Sequence, residues 1–360
     1  MIYWSIFTFV LFGGLVTLDC QKKARLLFII ASTVIFLIVA TRYNSVDYQS
    51  YLRIYEGIGD LGKLDWFIYS LDPTTPIETG FAFLIIFEKY LYGNYFAFIF
   101  LFSLISLSIK FFAFYKMSPY VLISILIYLS DEYFWKDMGQ IRNSMASGII
   151  LWSFFYAYQR RFILFLICVY AAIMFHSAAI IALPFYFARL LSSRLVLFSI
   201  LIFSLLVVIT TGGIGSLIAS MAQLVGATED FRIIKHLNSH HVDGIKLFGG
   251  TFLLQLALCC AVLGCKRFLV LKWKLNEFLI PAYVIGSSLF FLFLDYGIIA
   301  GRIREMITVP IGCVLLPSFI LIFKKDHRFI PVLFITIYCL LWFFMMISAA
   351  PKYQSIFMFL

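Results

Sequence analysis

Long runs of apolar residues, separated by short polar or charged stretches, repeat along the whole chain of 360 residues. A helix needs about 20 mostly apolar residues to cross a bilayer. On this criterion the pattern predicts membrane spans at about 2–18, 26–40, 94–113, 119–133, 139–158, 162–175, 177–190, 195–211, 248–264, 278–294, 306–323 and 329–348. We therefore expect an all-α polytopic integral membrane protein with about 12 transmembrane helices, in a single membrane-embedded domain over residues 1–360.

The stretch 162–190 is the least regular part of this pattern, because two short apolar segments flank the sequence "FHSA". A single longer span there would reverse the sidedness of everything on one side of it. We prefer two short or re-entrant helices that meet near His176.

Composition supports the membrane assignment. The chain is 63% hydrophobic and only 13% charged, with a mean hydropathy of +1.00, whereas soluble domains carry about 25% charged residues. The seven cysteines lie in apolar runs or at their ends, which argues against a disulfide framework and against a thiolate metal site.

The net charge of +10 reports topology rather than nucleic-acid binding. Basic residues gather in alternate connections, for example at Lys22, Lys110 and Arg160, where acidic residues are rare. The positive-inside rule places these connections in the cytoplasm. Both ends of the chain and two long loops, about 41–93 and 211–247, are then expected at the outer face.

Functional residues often lie on such long loops. The chain has no P-loop and no glycine-rich dinucleotide motif. We therefore expect no cofactor and no dependence on a soluble nucleotide.

The segment "MGQIRNSMASGIILW" places Arg142 near the start of a predicted span, beside Gln140 and Asn143. Ionisable residues within spans usually face a cavity or the bundle interior and mark function. The alternatives are that Arg142 snorkels to the interface or pairs with a nearby acid such as Asp137.

Further charged and aromatic residues stand at predicted outer boundaries. In "TRYNSVDYQSYLRIYE", Arg42, Asp47 and Tyr48 follow the second span. Asp47 is a candidate base or a partner that holds an arginine in place, although tyrosines here also suit an interfacial belt. In "DYGIIAGRIREM", Arg302 and Arg304 diverge on a continuous helix and converge only if the helix starts after Gly301.

His176 is a candidate functional residue, whereas His240 and His241 give only a weak signal for a metal site. His176 lies at the predicted junction of short helices, where it is either a hydrogen-bonded core residue or a functional one. The pair His240 and His241 near Asp243 lacks the ligand spacing of a metal site, so we expect no metal.

The four arginines come from three segments, at positions 42, 142, and 302 with 304. Clustered guanidinium groups bind phosphate and diphosphate oxygens bidentately. A lipid-linked diphosphate whose head group projects outward is therefore the hypothesised ligand of these arginines.

Four motifs occur in an order that resembles the EpsG/Wzy-like family of bacterial polysaccharide polymerases, which includes O-antigen polymerases. The motifs are "RYNSVDYQSYLRIYE", "GQIRNSMASGIILW", "FHSAAIIALPFYF" and "GRIREMITVPIGCVLLP". The chain departs from the family pattern at Val46, where glycine is common, and at Asn143, where a second glutamine is common.

The resemblance implies a glycosyltransferase with a GT-C-like bundle that needs neither metal nor nucleotide. It would move a glycan from polyprenyl (undecaprenyl) diphosphate onto a new lipid-linked repeat unit, at the outer face of the bacterial inner membrane. Arg42, Arg142, Arg302 and Arg304 would bind the diphosphate, Asp47 or His176 would act as base, and Gln140, Asn143 and Tyr48 would support them. Expected partners are membrane lipids and a chain-length regulator protein, and no nucleic acid.

Two other functions stay open on the sequence alone. A flippase for lipid-linked oligosaccharides would also have a cationic interior, although basic residues should then reach deep into a central cavity. A ligase or a membrane O-acyltransferase acting on the same class of substrate is the other alternative.

Overall fold

The computed structural model describes residues 2–58, 77–215, 245–350 and 352–358. These residues are almost entirely helical, and within them β-pairing is confined to an isolated bridge between Arg42 and Ser355. The α-helices are α1 (Ile2–Val16), α2 (Gln21–Ala40), α3 (Tyr48–Gly57), α4 (Thr79–Leu91), α5 (Tyr95–Met117), α6 (Val121–Asp131), α7 (Ile141–Tyr158), α8 (Phe162–Ile173), α9 (Arg194–Thr211), α10 (Gly250–Lys272), α11 (Asn276–Leu292), α12 (Gly297–Ile303), α13 (Val309–Leu315) and α14 (Phe329–Ala349).

Tighter or wider helical turns extend several of these helices. A 3-10 helix covers Ser177–Leu191, and a π-helical turn at Arg304–Thr308 joins α12 to α13. Two further 3-10 helices, Leu316–Ile322 and Lys325–His327, precede α14, and a fourth lies at Ile356–Met358.

The prediction of an all-α polytopic membrane protein is confirmed. Each predicted span overlaps a helical segment. Within the described ranges, six segments are long and apolar enough to cross a bilayer, namely Lys23–Ala40, Tyr95–Met117, Arg194–Thr211, Gly250–Lys272, Gly297–Ile322 and Lys325–Ser348. Shorter apolar helices correspond to most of the other predicted spans.

The predicted outer loops are only partly described. The loop 41–93 contains α3 and α4, and its residues 59–76 lie outside the described residues. Most of the loop 211–247 also lies outside them, including His240, His241 and Asp243.

The chain divides into two compact units. The first contains Met1–Leu183 and Gly312–Leu360, and the second contains Pro184–Ile311. That the whole chain acts as a single domain stays a prediction.

In the first unit, the long helix α5 packs against α2, α4, α6 and α7, and α7 packs along α8. The short helix α6 is enclosed by α1 and α14, and every residue from Leu122 to Asp131 is buried. An 11-residue helix is about 16 Å long at the α-helical rise, which is too short to span a bilayer of about 30 Å. The prediction of a full span at 119–133 is therefore wrong.

In the second unit, α11 packs against α9, α10 and α12. A close approach to the π-helical turn is made possible by Gly286, where a Cβ atom would lie 2.7 Å from Cγ2 of Ile307. Within this packed region the Gln255 amide donates to the Ser287 hydroxyl at 2.6 Å.

Candidate functional site

Three breaks in regular helix meet inside the first unit. They are the turn 132–140 between α6 and α7, the start of α4, and the turn 174–176 after α8. The amide of Gly80 donates to the Met174 carbonyl at 2.8 Å, which joins the last two breaks. The first break is tied to α5, where Ser106 donates to Asp137 at 3.4 Å.

These breaks lie along α5, a helix that is long enough to span a bilayer. Phe102, in the first half of α5, contacts Phe81 of α4 and Phe175 at ring separations of 5.6 Å and 6.3 Å. Ser106 stands at the centre of the same helix. Irregular backbone at membrane depth is tolerated only inside protein or beside a water-filled cavity, so this is where a polar site is expected.

One group of charges at these breaks, which we term the open cluster, consists of Glu78, Arg142 and His176. The guanidinium of Arg142 donates to Oε2 of Glu78, and Nδ1 of His176 lies 3.3 Å from Oε1. The side chains of Arg142, His176 and Glu78 remain 24%, 17% and 11% exposed. A single carboxylate thus joins a cation and an imidazole, and all three side chains remain partly exposed.

Local structure explains why these three residues meet. Glu78 is the residue before the first turn of α4, and Arg142 lies in the first turn of α7. Gly80 permits the docking of α4, because a Cβ atom there would lie 2.9 Å from the Met174 carbonyl oxygen. Rings of Tyr51 and Phe81 lie 5.7 Å and 5.6 Å from the Arg142 guanidinium, and cation–π contacts of this kind hold it in position.

The Glu78 carboxylate has two partners that favour its ionised form. The Arg142 guanidinium donates to one oxygen, and Nδ1 of His176 lies 3.3 Å from the other; an adjacent cation stabilises a carboxylate charge. A stable negative charge therefore stands between the two proposed functional side chains.

A second group, the sealed cluster, consists of Lys110, Tyr128, Asp137 and Ser144. Lys110 and Ser144 each lie 2.5 Å from the Asp137 carboxylate, and the Tyr128 hydroxyl donates to it at 2.7 Å. The side chains of Lys110 and Asp137 are only 2% exposed. The prediction that Lys110 lies in a cytoplasmic connection is wrong, because it lies within α5 and neutralises Asp137.

Arg42 lies just after the end of α2, and its side chain is buried in the first unit. Its guanidinium donates to the Val39 carbonyl at 2.5 Å and to Ser103 at 3.4 Å, and the residue is 2% exposed. Asp137 is near enough to attract it electrostatically. The buried Nε of Arg42 has no hydrogen-bond partner among the described residues, so this guanidinium has capacity left for an acceptor.

The aromatic segment after α2 packs inward. Tyr48, Tyr51 and Tyr55 occupy the buried face of α3, whereas Tyr43 is 39% exposed. An interfacial belt therefore does not account for the three buried rings. Asp47 is half-buried at the start of α3.

The polar residues near Arg142 support one another. The side-chain amide of Asn143 donates to Oε1 of Gln140 at 3.1 Å. The backbone amide of Gln140 in turn donates to the Trp135 carbonyl at 2.7 Å. These bonds fix the start of α7, from which Arg142 projects.

The remaining predicted arginines belong to the second unit. The helical segment Gly297–Ile322 begins before Gly301, which fits the continuous-helix alternative rather than a start after Gly301. Arg302 donates to Glu305 at 3.3 Å, and Arg304 opens the π-helical turn. Turns of this kind inside α-helices are frequent at functional sites.

Sequence reasoning selected Arg142 and His176 but missed Glu78, Lys110 and Asp137 as parts of clusters. Lys110 carried a usable signal, since a lysine inside the apolar run "SLISLSIKFFAF" marks a buried charge. Glu78 carried none, because its partners are 64 and 98 residues away along the chain.

The fold and these clusters define a multi-pass membrane protein with a polar site inside its helical bundle. The family model of the EpsG family matches residues 25–359, and the chain therefore belongs to the EpsG family. Membership supports a polysaccharide-polymerase role with lipid-linked saccharide substrates. No curated protein and no solved structure matches the chain.

Proposed function

We propose that the protein is a polysaccharide polymerase of the O-antigen or exopolysaccharide type. It transfers a glycan from polyprenyl diphosphate onto the next lipid-linked repeat unit, at the outer face of the cytoplasmic membrane. Family membership supports the polymerase class. The observation that carries the site is the open cluster, where Arg142 and His176 meet at breaks in three helical segments.

The arginines are proposed to bind the diphosphate. Arg142 is partly exposed, whereas Arg42 is buried and keeps its proposed role from the sequence motif alone. Guanidinium groups match phosphate oxygens bidentately. Preorganised donors that stabilise the charge developing on a leaving group contribute about 10²–10³ in rate. That Arg302 and Arg304 also bind the diphosphate stays a prediction from the sequence motif.

The reaction needs a base as well as the arginines. The acceptor hydroxyl oxygen attacks the anomeric carbon, the bond from that carbon to the diphosphate oxygen breaks, and the hydroxyl proton passes to the base. His176 and Asp47 are the proposed candidates. The diphosphate is already a good leaving group, so neither a nucleotide nor a metal is required.

Glycan analysis of a deletion strain, with and without the chain supplied back, tests the proposal. A ladder of lengths that depends on the chain supports a polymerase. Single-repeat glycan that still reaches the surface after deletion argues against a flippase or a ligase. Loss of all surface glycan instead contradicts the proposal.

Arginine replacements test the site in the same strain. Arg142→Ala or Arg302→Ala should reduce the ladder to a single repeat while membrane abundance is retained, and Arg142→Lys should restore only part of it, because lysine lacks the planar fork. The matched control is Arg328→Ala, which removes an ion pair with Asp19 that is exposed on the Asp19 side. Full-length ladders from both alanine variants would show that the diphosphate assignment is wrong.

A further inference from the structure

We propose that Glu78 is a positioning residue that occupies the place of a phosphate group in the open cluster. It holds Arg142 until an anionic ligand takes its place, and it then remains on His176. The identity of the ligand rests on the proposed function. The exchange itself can be measured with inorganic pyrophosphate.

The two oxygens of Glu78 have different partners. Oε2 accepts from Arg142, and Oε1 faces Nδ1 of His176 at 3.3 Å. A phosphate group offers the same kind of acceptor oxygens to a guanidinium. Arg142 can therefore change partner without losing a charge-assisted hydrogen bond.

Exposure and charge favour this exchange. The three side chains are 11% to 24% exposed, so an anion can approach without unfolding the site. The diphosphate of a lipid-linked glycan carries one negative charge on each of its two phosphate groups, whereas a carboxylate carries a single charge. The ligand is thus the stronger partner for Arg142, and the carboxylate is the weaker partner that keeps the arginine in position.

The exchange changes the surroundings of His176. Before the exchange, the negative charge of Glu78 is shared between Arg142 and His176. After the exchange, the Glu78 carboxylate interacts mainly with the imidazole of His176. A carboxylate on one ring nitrogen fixes the tautomer and stabilises the imidazolium that forms when the other nitrogen accepts a proton. The nitrogen that would accept the proton, Nε2 of His176, is buried. His176 can therefore act as the base only if the exchange at Arg142 also makes Nε2 accessible.

A fixed clamp is the rival interpretation. In that case Glu78 only fastens α4 to α7 through Arg142, and its loss weakens every function of the site together. The exchange predicts effects of opposite sign, because Glu78 competes with the ligand for Arg142 and yet assists His176.

The experiment measures pyrophosphate binding and polymer formation on the same full-length variants. Purified protein in nanodiscs is titrated with inorganic pyrophosphate, and ladders are measured in the deletion strain. For Glu78→Gln we expect pyrophosphate to bind about fivefold more tightly, since one competing negative charge is removed, while ladder synthesis falls about tenfold or more. Glu78→Asp should recover part of the synthesis, because it restores the carboxylate.

The matched control is Glu277→Gln, which breaks a glutamate–arginine pair with Arg189 in the second unit. It should change neither quantity. The exchange is overturned if Glu78→Gln binds pyrophosphate equally or more weakly, if it cannot be purified in folded form, or if the wild-type protein binds none.

Failure of the exchange is distinguishable from failure of the proposed function. If only the exchange is wrong, Arg142→Ala still reduces the ladder, and Glu78→Gln shows no gain in pyrophosphate affinity. If only the polymerase assignment is wrong, Glu78→Gln binds pyrophosphate more tightly, and no variant changes the ladder.

Discussion

The open and sealed clusters both contain a carboxylate paired with a cation in the first unit. They differ in how many hydrogen bonds the carboxylate receives and in how deeply it is buried. The Asp137 carboxylate receives bonds from Lys110, Tyr128 and Ser144, all within 2.7 Å. The Glu78 carboxylate has Arg142 and a longer contact of 3.3 Å with His176. The ion pair of the sealed cluster is 2% exposed, whereas Arg142 and Glu78 of the open cluster are 24% and 11% exposed.

This difference is the one expected between a structural ion pair and a functional one. A buried charge whose hydrogen bonds are all made within the protein has nothing to offer a ligand, and its loss is expressed as instability. An accessible charge with a replaceable partner can bind a ligand at small cost to the fold. Variants of each cluster should therefore separate stability from glycan synthesis.

The largest effect on stability is expected from Asp137→Ala. This change leaves the Lys110 ammonium buried without its closest acid, which lies 2.5 Å away, and breaking a buried pair in this way costs about 3–5 kcal/mol. We expect low abundance in membranes and a markedly lower melting temperature in detergent, with glycan synthesis lost as a consequence.

Asp19→Ala is the control for that variant, because it breaks an ion pair in which Asp19 is 59% exposed. Such exposed pairs contribute about 0–1 kcal/mol. If Asp137→Ala melts like the wild-type protein and yet makes no polymer, the sealed cluster takes part in the reaction and the contrast with the open cluster is lost.

An intermediate effect is expected from Gly80→Ala, which perturbs the open cluster through the backbone. The new Cβ atom would lie 2.9 Å from the Met174 carbonyl oxygen, so α4 or the turn after α8 must move. Overpacking of this kind costs about 1–3 kcal/mol, and the movement separates Glu78 from His176. We expect a moderately lower melting temperature and shorter glycan ladders at near-normal abundance.

Gly264→Ala provides the comparison, since no atom would lie within 4 Å of its added Cβ and alanine favours the helix interior. Gly264→Ala should leave the ladders unchanged, and it should leave the stability unchanged or raise it slightly. Wild-type ladders from Gly80→Ala would mean that the docking of α4 does not set the geometry of the open cluster.

Much of this architecture follows from local sequence. The long apolar runs have few alternatives to membrane helices, and the predicted spans all overlap helices. The stretch around α6 was misjudged for a physical reason. The charges in "SDEYFWKDMG" look like a boundary connection, and they are buried because Lys110, from another helix, compensates Asp137.

Residues of the candidate site could be predicted where a single charged or polar residue stands inside an apolar segment. Arg142 and His176 stand out because polar side chains are costly in apolar segments. Their common partner Glu78 does not stand out, since an acid in a polar loop is unremarkable until the chain folds. Only the docking of Gly80 on Met174 brings that acid to both residues.

The smallest effect is expected when both charges of the sealed cluster are removed together, in Lys110→Met with Asp137→Asn. Replacing a whole buried pair is often neutral or stabilising, in contrast to removing one partner. Tyr128 and Ser144 donate to different oxygens of Asp137. In the asparagine variant one hydroxyl donates to the amide oxygen and the other accepts from the amide NH2 group, so neither is left as an unsatisfied buried group. Glu132, which lies 3.9 Å from Lys110, keeps Lys136 as a cationic neighbour.

We expect a stability within about 1 kcal/mol of the wild-type protein and complete ladders, measured by thermal unfolding in one detergent and by glycan gels. A stable double variant without polymer would assign chemistry to the sealed cluster, whereas a stable and active one leaves the chemistry of the first unit to accessible side chains such as Arg142 and His176.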